Sequence, residues 1–336
     1  MYALFTFKLA SLITPKTFTS SSITSMEFYS APQLHAFVFV FGLYLSYHFV
    51  DLIPYAHILF SKQGMIPDVT WSPTHGYFPN LLNVIDHSSM YIQLYLGTAV
   101  ILSQGMAYGP WILNMCQRHF QGLVFLHNLH SYRILLFNYG ILWYIWASLL
   151  NRNIFILNPG LAYVGYLLLA LTLICPGNGM VHRITIGITG ATKVEVSDRL
   201  KLNSKVMSWI YYGTWILLAI GYTISGMHKL LHSPSWVSGD ALKYIYESPL
   251  ARDTFLVTWL LTLPRWMLQI ATWGSLVLEI SFLPLGLFKR TRKLYWFSFL
   301  ALHVGVLATV SFSDLTIGVF LAHLFIFDIR WVVSKS

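Results

Sequence analysis

Charge is what this sequence has least of. Lys and Arg number 21 and Asp and Glu 12, together 10% of 336 residues, against roughly 25% in soluble globular domains. With 56% hydrophobic residues and a mean hydropathy of +0.61, the chain has too little polar surface to cover itself in water. That excludes an ordinary soluble enzyme and a disordered chain, and makes lipid the expected solvent. Cysteine is also scarce. Cys116 and Cys175 stand far apart with no CxxC pair, so neither a disulfide scaffold nor a thiolate metal site is expected. The shortage of acids produces the net charge of +9, and the one dense basic tract is KRTRK at 289–293. This pattern points to membrane orientation rather than to a nucleic-acid partner. There is no Gly-rich phosphate loop, no fixed-period repeat, and no polar stretch long enough to bury a separate soluble core.

What the sequence has in abundance is apolar runs. Eight stretches, near 34–54, 88–107, 133–150, 160–176, 206–227, 256–283, 294–311 and 315–333, approach the roughly 20 residues a helix needs to cross a bilayer. The expected fold is therefore all-α, a polytopic membrane bundle of about eight transmembrane helices. The third has an amphipathic piece, residues 118–131, ahead of it that extends its candidate start; the sixth carries Pro264 and should be kinked there or preceded by a short interfacial piece. With both termini inside, 15 of the 21 basic residues fall on the inner side, five outside, and Arg265 within a span. That excess agrees with the retention of Lys and Arg on the cytoplasmic side. It places the loops 55–87 and 228–255 on one outer face. Residues 1–31 form an N-terminal extension, Ser/Thr-rich and free of acids as far as Met26. This faintly resembles an organelle transit peptide, and Met26 is an alternative start. The expected location is a bacterial-type plasma membrane, with an organelle membrane as the alternative.

Ionisable groups in or beside lipid are functional candidates by default. The densest region is 222–240, YTISGMHKLLHSPSWVSGD. Gly226 permits another helix to approach closely. Lys229 at the outer helix end is either a general base or a lysine snorkelling to headgroups. His228 and His232 share a helix face at metal-ligand spacing but lack a third ligand in sequence, which leaves interfacial hydrogen bonding as the plain alternative. Pro234 should end the helix, with Trp236 and Gly239 in a following turn. Glu279 inside the sixth span needs a partner, for which His303, Arg265 or a backbone donor are the candidates. Its role is more readily structural than catalytic, whereas for His303 both stand open. Arg152 and Asn153 occupy an outer turn where Arg152 either binds an anion or caps its helix. Lys229, Trp236 and the Arg152 turn are expected to border one outward-opening cavity, and loss of Lys229 is expected to strand no buried charge. His48, His303 and His323 lie in spans and offer a haem b reading.

Four segments in order carry a family resemblance: FSKQGMIP (60–67), SLLNRNIFILNPG (148–160), SGMHKLLHSPSWVSGDAL (225–242), and LEISFLPLGLFKRTRK (278–293) followed by His303. Together they resemble the horizontally transferred transmembrane (HTTM) domain, shared by vitamin K-dependent gamma-carboxylase and many bacterial membrane proteins. The resemblance covers residues 32–336. It implies an outward-facing catalytic lysine, falling on Lys229, with His228 and His303 beside it and Arg152, Asn153, Trp236 and Glu279 as binding residues. A reduced quinone is the implied cofactor: the lysine deprotonates the quinol, oxygen traps the anion, and the resulting alkoxide abstracts a substrate proton. His228 stands where the carboxylase has a second lysine. A His-Ser-Tyr stretch occurs at 130–132 but lies six residues from the matching register and on the inner side. The chain also resembles the short SdpB-type proteins that help mature secreted peptides, which adds a small peptide to the lipid bilayer and a quinone as possible partners. The alternative is a non-enzymatic membrane protein that binds a lipid, a quinone or a partner helix.

The charge asymmetry makes a direct prediction about sidedness. Single cysteines introduced at Ser238 and Thr291 should react with impermeant reagent from opposite faces of sealed vesicles; reaction of both from one face would sink the layout.

Overall fold

The computed structural model describes residues 31–72, 74–119, 124–174, 198–311, 313–328 and 331, and among them it is all-helical. Residues 1–30 and Cys175 lie outside the described residues, as do the basic positions Arg183 and Lys193. The helices are α1 (Ala31–Leu52), α2 (Ala56–Phe60), α3 (Leu82–Ile85), α4 (Ser89–His119), α5 (Val124–Arg152), α6 (Pro159–Leu173) and α7 (Asp198–His232). They continue with α8 (Pro234–Ser238), α9 (Ala241–Glu247), α10 (Phe255–Thr262), α11 (Arg265–Ile280), α12 (Arg292–Thr309) and α13 (Ser313–Phe325). Each of the eight apolar stretches overlaps a helix among the described residues, the last of them, 315–333, only as far as Phe325. The sixth is divided between α10 and α11 at Leu263 and Pro264, because Pro264 has no N–H to continue the first helix and disfavours helical backbone at the residue before it.

Among the described residues two helical segments, Gln33–Phe60 and Ile134–Arg152, are long and apolar enough to cross a membrane. Two shorter apolar helices, Pro159–Leu173 and Asp314–Phe325, fall below that length.

Local chemistry sets several boundaries. The Asn158 side chain accepts from the Leu161 N–H with Pro159 at the first helical position, starting α6. Thr254 caps α10 by accepting from the Val257 N–H. Ser233 is extended and Pro234 opens α8, so α7 stops at His232. Gly239 then takes φ +84°, a left-handed conformation that favours glycine.

The helices pack as α1 on α4, α5 between α4 and α6, α6 on α13, and α7 on α11. One aromatic-rich core runs through them, from Phe41, Phe49 and Trp146 to Trp215, Phe282, Phe299 and Phe325. The tightest crossing joins α6 to α13. A Cβ on Gly318 would lie 2.2 Å from the Gly160 carbonyl oxygen, and one on Gly160 2.4 Å from that of Leu315. The backbones therefore touch, and small residues are what allow it.

Gly318→Leu should separate α6 from α13 and destabilise the protein by roughly 1–3 kcal/mol or more, the usual cost of overpacking. Thermal unfolding in detergent would measure this; an unchanged midpoint would show that the crossing carries no stability.

Candidate functional site

The region chosen from sequence is assembled by α7, α8 and α11. A Cβ on Gly226 would sit 2.9 Å from the Glu279 Cβ and from the Ile280 backbone nitrogen, so this glycine lets α7 lie directly against α11. One turn further on, Lys229 Nζ donates to both oxygens of Glu279, at 2.6 and 2.8 Å. The two residues are 50 apart in sequence. The Glu279 side chain is 8% exposed and that of Lys229 26%. Lys229 Nζ also lies 4.4 Å from the centre of the Trp236 ring, a cation–π contact on its open side. Trp236 is positioned by its own short helix, which α11 grips from below: Trp273 donates to the Val237 carbonyl at 3.0 Å and Gln269 to that of Ser238 at 3.1 Å.

Three sequence-nominated residues, Lys229, Glu279 and Trp236, are thus brought together. The expected partners of Glu279 are corrected, since Lys229 takes that place. Arg265 instead forks onto Asp240, Nε to Oδ1 at 2.8 Å and Nη2 to Oδ2 at 2.7 Å. That guanidinium holds the Asp240 carboxyl below the usual carboxylate range. The expectation that losing Lys229 strands no buried charge is corrected too, because it would strand Glu279.

His228 and His232 are both exposed, their rings 4.9 Å apart on one face of α7. Among the described residues no group of three or more His, Cys, Asp or Glu is arranged to hold a metal.

Arg152 and Asn153 lie elsewhere, and not on an open turn. Arg152 is fully buried; Nη1 donates to the Ile66 carbonyl at 2.8 Å, and Nη2 lies 3.5 Å from Oδ2 of Asp86, itself buried. Asn153 Nδ2 donates to the Leu59 carbonyl at 2.9 Å. The loop 55–87 folds over this turn, so Arg152 faces Ile66 and Asp86 in the interior. Lys229 and Arg152 share no partner among the described residues: Lys229 pairs with Glu279, and Arg152 with Ile66 and Asp86. A shallow apolar groove lies instead along α5, lined by Leu136, Phe137, Gly140, Ile141 and Tyr144. The four resembling segments meet in pairs: 60–67 with 148–160 through Arg152 and Ile66, and 225–242 with 278–293 through Lys229 and Glu279.

His303 is buried on α12, and its Nε2 lies 2.6 Å from the Tyr222 hydroxyl. The same hydroxyl lies 2.8 Å from Nε2 of His323. Both Nε2 atoms are thus engaged with the one hydroxyl. His48 is separate from them, 3.3 Å from Asp314. The His-Ser-Tyr stretch 130–132 lies on α5, outside the residues whose side chains are described. Sequence reasoning missed Tyr222 and Asp86; the available signal for Asp86 was its rarity, one of 12 acids in the chain.

Comparison with family models, with curated proteins and with solved structures finds no match.

Removing one partner of the Lys229–Glu279 pair should cost more than removing both. Lys229→Met should lose about 1–3 kcal/mol through the stranded carboxylate, and the Lys229→Met/Glu279→Leu double variant should recover most of it. Unfolding of the four proteins in detergent gives the cycle; strictly additive losses would refute the coupling.

Proposed function

We propose that the protein is a multi-pass membrane helix bundle of HTTM type, eight-spanning with both termini inside, whose outer-face cluster of Lys229, Glu279 and Trp236 performs base chemistry on a quinol. The observation that carries this reading is the meeting of Lys229 with Glu279 beneath an aromatic ring at a helix end. Supporting the lipid environment, the outward faces of the helices are apolar, with Ile101, Phe137, Trp209, Val277 and Leu294 exposed, while Ser103, Asn138, Thr214, Thr272 and Thr316 are buried. That distribution suits a bundle dissolved in hydrocarbon, where polar groups turn inward to find partners.

The chemistry follows from the pairing. While Glu279 holds Lys229 through both oxygens, the amine offers only hydrogens. Transfer of one proton across the 2.6 Å contact to Glu279 Oε1 frees the Nζ lone pair. That lone pair then accepts the hydroxyl proton of a quinol lying against Trp236, and Glu279 serves as the proton's first resting place. His228, one position before the base, borders the same helix end. A small secreted peptide is the substrate class that the SdpB-type resemblance adds.

The second reading, a non-enzymatic binder of lipid, quinone or a partner helix, draws on the apolar groove of α5. Oxygen uptake by the purified protein in liposomes supplied with a reduced naphthoquinone separates the two. Base chemistry predicts quinol-dependent uptake that falls about 10² to 10⁴-fold in Lys229→Ala and stays low in Lys229→Arg, which keeps the charge but cannot serve as a neutral base. Full activity of the Arg variant, or no uptake by the unaltered protein, would leave the binding reading in its place.

A further inference from the structure

Two turns inward from Lys229 on the same face of α7, Tyr222 is buried and its one hydroxyl meets two imidazoles, His303 Nε2 at 2.6 Å and His323 Nε2 at 2.8 Å. The three residues come from three helices, α7, α12 and α13. Their rings are packed closely: Tyr222 stacks on Phe282 at 5.1 Å, and the His323 ring lies parallel to Phe299 at 6.1 Å. The remaining nitrogens, His303 Nδ1 and His323 Nδ1, are buried and have no hydrogen-bond partner.

Counting hydrogens decides how the cluster is arranged. A tyrosine hydroxyl has one hydrogen to give, and a neutral imidazole carries its hydrogen on one nitrogen only. If both histidines carry it on Nδ1, the hydroxyl can satisfy just one Nε2. If both carry it on Nε2, the buried hydroxyl hydrogen has no acceptor. Both contacts are made when the tautomers are opposite: one Nε2 accepts from the tyrosine while the other Nε2–H donates to it. One outer Nδ1 then bears a hydrogen and the other a lone pair.

We infer that His303, Tyr222 and His323 form a buried proton relay, with the two Nδ1 atoms as its ends. A proton bound at the lone-pair Nδ1 of His323 allows that ring's Nε2 hydrogen to pass to the Tyr222 oxygen. The hydroxyl hydrogen moves to Nε2 of His303, and the hydrogen on Nδ1 of His303 leaves. One proton arrives, one departs, every group ends neutral, and the two histidines have exchanged tautomers. No bond to carbon changes. Lys229 and Glu279 are the charged groups facing the cluster: Lys229 acts electrostatically on His303, and Glu279 on Tyr222. The proton user would be the Lys229–Glu279 site, a link that rests on the base reading above; the relay itself does not.

Solution NMR of the full chain in detergent, with ¹⁵N-labelled histidine, tests the relay without any assay of activity. A purely structural triad would hold one fixed tautomer per ring. The relay predicts two tautomers in exchange for both His303 and His323, with exchange abolished in Tyr222→Phe, which keeps the stacking ring. Resonances are assigned by loss in His303→Gln and His323→Gln. Fixed tautomers in the unaltered protein, identical tautomers on both rings, or exchange that survives in Tyr222→Phe would overturn it. Oxygen uptake with the reduced naphthoquinone then addresses the link. Tyr222→Phe should lower it about 10²-fold, whereas unaltered uptake beside quenched exchange would detach the relay from Lys229 without touching either observation.

Discussion

A carboxylate inside an apolar bundle has to be met by a cation, and for Glu279 that requirement fixes the geometry of the C-terminal half. Lys229 can reach it only because Gly226 brings α7 against α11. The same close approach sets the two backbones so that Thr223 bonds the carbonyl of Glu279 and accepts from the Leu283 N–H at 3.0 Å. Beyond that point the chain makes a wide helical turn at Phe282–Gly286, where Pro284 has no N–H to give. That turn presents Phe282 to Tyr222, so the packing of the buried tyrosine and the pairing of Lys229 follow from one helix contact.

The N-terminal half is organised by a second buried pair, made differently. Asp86 and Arg152 both have fully buried side chains, 3.5 Å apart. Around them the contacts are between side chain and backbone, Arg152 to the Ile66 carbonyl and Asn153 to that of Leu59. Asn80 adds a bond to the Ser148 carbonyl at 2.9 Å. Such bonds tie a long loop to a helix end without needing regular structure in the loop. They serve to close the bundle, while the Lys229 cluster keeps one side open.

The sequence was most legible where a signal is local. Apolar runs located the helices, Pro264 the break before α11, Pro234 the end of α7, and Gly226 the point of helix approach. Each reports on its own neighbourhood through backbone sterics or side-chain size. Illegible was which helix faces which. Glu279 meets a lysine 50 residues away rather than Arg265 or His303, because facing depends on how helices rotate as they pack, and no periodicity encodes that. Arg152 reads as an exposed turn residue in sequence, yet the covering loop buries it. Tyr222 escaped notice because tyrosine is common here, with 20 in the chain, and only its position between two histidines sets it apart.

If the bundle sits in lipid, the backbone contact of α6 with α13 has a consequence for the bilayer around it. These helices have 15 and 13 residues, about 22 and 20 Å at 1.5 Å per residue, while a hydrocarbon core is about 30 Å thick. Because the crossing at Gly160 and Gly318 locks them side by side, neither can slide outward to lengthen the pair. In a membrane this sector would be mismatched by several ångströms, and the cheapest remedy is for the lipid to thin locally. Thinning would carry headgroups and water inward along one flank of the protein, making it a dimple in the leaflet.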